Sequence, residues 1–170
     1  MGSSSEKGDA MRRTKGFSLI ELLIVVAIIL IIAAVAVPNF LRSRIIANES
    51  AAAAGIRTLN TAQISYYSSY PTVGYASTLS ALAGTCTGTT VPTSASACLI
   101  DSVLAGGVKS GYSFAISNTS SAPNPTYNFI ASPVSVNLSG TRYFCSYADA
   151  VIRVSEAVIT TCDSTVAPQQ

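Results

Sequence analysis

Between positions 22 and 37 the chain carries no polar residue, and the greasy segment around that run extends over 17–41. About 20 apolar residues are enough for a helix to cross the hydrocarbon core of a bilayer. No other stretch limits the fold as strongly, because a helix that is apolar all round has to be covered on every side. Arg12, Arg13 and Lys15 lie just before it, and such a basic flank stays on the cytoplasmic side. The segment is therefore predicted to span the membrane once, N-terminus inside, with the rest of the chain beyond it. One residue interrupts the pattern. Glu21 sits four positions after Phe17, within the greasy segment.

An acid at the centre of a membrane helix costs about 2.5–3.5 kcal/mol on insertion scales and usually has a partner. No basic residue lies inside the segment. A cut between Gly16 and Phe17 would make one, since the new α-amino group would stand one helical turn from Glu21. A cleaved secretory signal would use Ala34-Val35-Ala36, but its apolar core is normally only about 7–15 residues long and holds no acid. A plain single-span anchor gives Glu21 no role, and a buried core helix gives the basic flank none.

The stretch Lys15-Gly16-Phe17-Ser18-Leu19-Ile20-Glu21 followed by the apolar run resembles the N-terminus of type IV prepilins and type II secretion pseudopilins. Their pattern is a short basic leader ending in Gly, then Phe, a Glu four residues on, and an apolar helix. Pro38 stands where family members commonly carry a helix-bending proline. The likeness covers about 30 residues and extends more weakly to 110–155. It implies a leader, 1–16, removed after Gly16 by a prepilin peptidase that also methylates Phe17. It further implies that Glu21 pairs with the Phe17 amine of a neighbouring copy. The partners would be further copies of the chain in a helical homopolymer, the peptidase and the inner-membrane pilus assembly machinery. The implied function is that of a major-pilin-like structural subunit, held in the inner membrane before assembly and in an extracellular filament after it. A pseudopilin of a type II secretion system is the alternative. Met11 is a possible start for the short leader Met-Arg-Arg-Thr-Lys-Gly.

Of the 170 residues 49% are hydrophobic and 11% charged. Setting the span aside leaves roughly 125 residues, one modest domain. The net charge of +2 lies in the leader, where Lys7, Arg12, Arg13 and Lys15 exceed Glu6 and Asp9 by two. The remainder is balanced, so no electrostatic footprint for nucleic acid is visible.

The predicted fold is α+β: a long N-terminal helix over 17–70 packed on an antiparallel sheet of about four strands. The assembly segment is 17–44 and the amphipathic half 45–70. In that half Ile45, Glu49, Ala52, Ile56, Leu59, Gln63, Tyr66 and Tyr70 recur at helical spacing and form the stripe that faces a sheet, with Asn48, Arg57 and Asn60 off it. Pro38 should kink the helix, and Pro71 should end it. An irregular connection follows over 71–111, with a short helical piece near 77–83. The region 112–170 holds strand-like runs at 112–116, 127–131, 141–147 and 150–155, joined by short turns as in a meander, and a loose tail from 165.

Four cysteines follow the span, where an oxidising compartment favours disulfides. Of the three possible pairings, neighbours in sequence are simplest: Cys86 with Cys98 and Cys145 with Cys162. Each would contribute about 3 kcal/mol in the chain-entropy model. With no histidine in the chain, Ser-His-Asp and Cys-His catalysis are ruled out. The acids are scattered singly, so Asp101, Asp149 and Asp163 read as solvated turn residues before calcium ligands. No cofactor or metal site and no enzymatic activity are predicted.

Overall fold

The computed structural model describes residues 16–84, 91–117 and 122–169. The chain divides into two compact units, Met1–Asn39 and Phe40–Gln170. Helix α1, Leu19–Ser69, contributes to both.

In the first unit no described residue is buried. The helix runs through Pro38, which has no N–H to give the carbonyl one turn back. Next to it the Asn39 side chain donates to the Val35 carbonyl at 3.0 Å.

In the second unit the helix presents Ala52, Ala53, Ile56, Leu59, Ala62 and Tyr66 to the core. Gly55 lies on the same face because a Cβ there would meet the Phe114 ring at 2.8 Å. The sheet has five strands in sequence order, every pair antiparallel: β1 (Val108–Lys109), β2 (Tyr112–Ser117), β3 (Asn128–Pro133), β4 (Tyr143–Tyr147) and β5 (Arg153–Ser155). Alternation places Tyr112 and Phe114 of β2 and Phe129 and Ala131 of β3 inward. Strand β4 is buried on both faces. Phe144 belongs to the main core, while Tyr143 and Cys145 pack with Ile159 and Cys162 of the C-terminal segment.

The α+β fold is as expected, with differences in detail. The antiparallel sheet, expected with about four strands, has five. Strand β1 is only two residues long and turns into β2 through Ser110-Gly111, whose φ angles of 50° and 74° suit the tight hairpin turn that requires positive φ at both positions. In the connection over 71–111 the short helical piece expected near 77–83 is α2 (Leu79–Leu82), and a second four-residue helix, α3 (Ser102–Ala105), is unexpected; the side chains of Thr78 and Asp101 cap them. The tail is tied down: Gln169 N donates to Ile152 O at 2.8 Å and Val154 N to Ala167 O at 2.9 Å. An edge strand leaves backbone groups unpaired, and the tail satisfies them.

Candidate functional site

At the N-terminal end Gly16, Phe17 and Ser18 precede the helix, and Glu21 lies in its first turn. Among the described residues no cation pairs with Glu21. A Cβ added at Gly16 would meet nothing within 4 Å, so nothing in the chain's own packing demands glycine there. An 18-residue window of the helix has a mean hydropathy of 3.3 and none of it is buried. Exposed apolar surface on this scale marks a site for lipid or for another protein.

In the second unit, polar side chains of α1 hold the surrounding loops. Glu49 is buried, and its Oε1 accepts from Thr141 N, Thr141 Oγ1 and Arg142 N at 2.9, 2.9 and 3.2 Å. Its Oε2 takes Arg142 Nε at 2.7 Å and Nη2 at 2.6 Å. Burial pushes this carboxyl up, but the bonds from Thr141 and Arg142 outweigh it and hold it below its ordinary value. Asn48 donates to Ser139 O at 2.9 Å. Gln63 exchanges two bonds with the Ala76 backbone, at 2.9 and 2.8 Å, and the Tyr66 hydroxyl donates to Ser94 O at 2.6 Å. Asn60, expected off the packed stripe, is buried and donates to Ser146 Oγ at 2.9 Å and Ala150 O at 3.1 Å. Sequence reasoning missed it because its partners lie at least 86 residues away.

Cys145 and Cys162 form a disulfide. Cys98 is also disulfide-bonded; Cys86, its expected mate, lies outside the described residues, as do the leader residues before Gly16. The three acids weighed as metal ligands are engaged elsewhere. Asp101 caps α3 and meets Lys109 at 3.0 Å. Asp149 holds Arg153 at 2.7 Å, and Asp163 accepts from Thr165.

Residues 11–37 match the family described as the prokaryotic N-terminal methylation motif. This end of the chain is similar to the N-terminus of type IV prepilins. Two pilins resemble part of the chain. The type IV major pilin protein PilA of Myxococcus xanthus is 50% identical over 56 residues, 33% of this chain and 26% of its own length. The type IV wide pilus major component PilA4 of Thermus thermophilus is 62% identical over 40 residues, 24% of this chain and 30% of its own length. The chain thus spans less than a third of the length of either pilin. No solved structure matches it. The motif match lies at the helix end, and the sheet unit is known from its own geometry.

Proposed function

We propose that the chain is a structural subunit of a type IV pilus, cut after Gly16, N-methylated at Phe17 and polymerised through its N-terminal helix. The observation that carries this reading is the unburied apolar surface of α1 with one acid in its first turn. Lipid covers such a surface before assembly and sister helices cover it afterwards. Glu21 then meets a cation only when a neighbouring copy brings its Phe17 amine alongside. A charge held in low dielectric without a partner is strongly unfavourable, so the pairing selects for subunits added in register. Both similar proteins are named as major pilus components, which favours a long filament over a secretion pseudopilus. The chemistry of cutting and methylation belongs to the peptidase, and the subunit's own role is structural.

Gly16→Ala tests the first step. The fold tolerates the methyl group, so the expected result is a stable, membrane-held precursor that keeps its leader. Mature-length N-termini on sheared filaments of this variant, read by Edman sequencing and intact mass, would refute the cut site.

A further inference from the structure

The turn between β3 and β4 points apolar side chains outward. Val134, Val136 and Leu138 are 58%, 54% and 66% exposed. The turn is nonetheless ordered: Val134 N donates to Gly111 O of the β1–β2 turn at 2.9 Å, and within the β3–β4 turn Asn137 N donates to Gly140 O at 2.9 Å and Ser139 N to Ser135 O at 2.8 Å. Ser139 Oγ adds a bond to Ser135 O at 3.0 Å. Backbone groups satisfied within a turn can approach lipid at less cost than bare ones. Its position on α1 is also defined. Asn48 holds Ser139 O, and a cavity of about 410 Å³ is lined by Arg44 and Asn48 together with Val134 and Leu138. Leu41, Arg44 and Asn48 follow one another at helical spacing on one face, and Leu41 ends the greasy segment. At 1.5 Å per residue, Arg44, which shares the cavity with Val134 and Leu138, is about 4.5 Å beyond Leu41 along the axis. The interfacial layer of a bilayer is about 5–8 Å thick on each side. Arg42 and Arg44 are exposed, and neither enters any of the three ion pairs among the described residues.

From this we infer that the β3–β4 turn is a lipid-facing foot. In the unassembled subunit Val134, Val136 and Leu138 enter the outer interfacial layer of the membrane, while Arg42 and Arg44 take phospholipid phosphates. The inference rests on the membrane-held precursor proposed above. Aliphatic side chains beside unpaired arginines suit the boundary between acyl chains and anionic headgroups. A protein surface would have to offer phosphate-like charge and grease at the same two levels.

The chain has no tryptophan, so a single introduced one reports its own surroundings. Full-length L138W, I28W and V91W precursors are reconstituted in vesicles of phosphatidylethanolamine and phosphatidylglycerol carrying lipids brominated near the glycerol end of the acyl chains, for L138W and V91W, or near the chain ends, for I28W at the middle of the span. Val91 is near Ser94, whose carbonyl takes the hydroxyl of Tyr66, about 27 Å up the helix from Asn48. The expected result is that bromine removes roughly half or more of the L138W emission and leaves V91W unchanged. If I28W is quenched and L138W is not, the foot is refuted while the span stands. If I28W is not quenched either, the membrane-held reading fails and the foot with it. An L138W signal that shifts with subunit density and ignores bromine assigns the turn to a second copy, which also overturns the inference.

Discussion

Replacing Glu49 by Gln measures how strongly α1 is tied to the turn before β4. The Glu49 side chain is 4% exposed and that of Arg142 41%, so the pair is dry at one end and wet at the other. Breaking a buried pair on one side costs about 3–5 kcal/mol, and an exposed pair is worth about 1 kcal/mol or less. The expected loss lies between, at about 2–3 kcal/mol. Glutamine keeps the volume and one acceptor oxygen for Thr141, but its amide N–H groups face the Arg142 donors. For a unit of this size the melting temperature should fall by roughly 6–12 °C. The folded carboxyl lies below its ordinary value of 4.5. Its contribution is therefore present above about 4.5 and is lost as the pH falls through the folded value. Wild type and E49Q should differ at neutral pH and converge on acidification. Near-ultraviolet circular dichroism of the full chain in detergent, melted at a series of pH values, reads this directly. Equal melting temperatures at neutral pH, or a gap undiminished well below 4.5, would refute the reasoning.

Three further outcomes are expected. A Cβ at Gly140 would run into the Tyr112 hydroxyl, which donates to Arg142 O at 2.8 Å; Gly140→Ala should destabilise the unit by about 1–3 kcal/mol, seen as a lower melting temperature with the disulfides intact. Replacing both Cys145 and Cys162 by Ser opens a loop whose ends are 17 residues apart and should cost about 3 kcal/mol, and reductant should then shift the melt less than it shifts wild type. Glu21→Gln should leave folding and leader removal unchanged and lower the yield of sheared filaments on quantitative blots; wild-type yields would remove the pairing role of Glu21.

What could be read without the structure was whatever repeats or punctuates. The unbroken apolar run announced α1, and the helical spacing from Ile45 to Tyr66 picked out most of its packed face. Alternation with aromatic residues located β2 and β3 to within two residues of their ends. Strand β1 escaped because two residues show no alternation. Strand β5 begins later than expected because Ala150, at φ 58°, belongs to the turn before it. The tail read as loose since its ties run through backbone atoms, which leave no compositional trace. Asn60 is the most instructive case. Apolarity defines a stripe, whereas an amide is buried for a partner that only the fold brings near.

That same reliance on the main chain sets what can vary. Asn48, Gln63 and Tyr66 grip Ser139, Ala76 and Ser94 through their peptide groups alone, and Glu49 and Asn60 take Thr141 N, Arg142 N and Ala150 O besides their side-chain bonds. A peptide group is the same whichever amino acid supplies it. At exposed Ser94 the side chain is thus free to change while Tyr66 keeps its grip, whereas Ala76 is fixed by the core and Thr141 and Arg142 by their own side-chain bonds to Glu49.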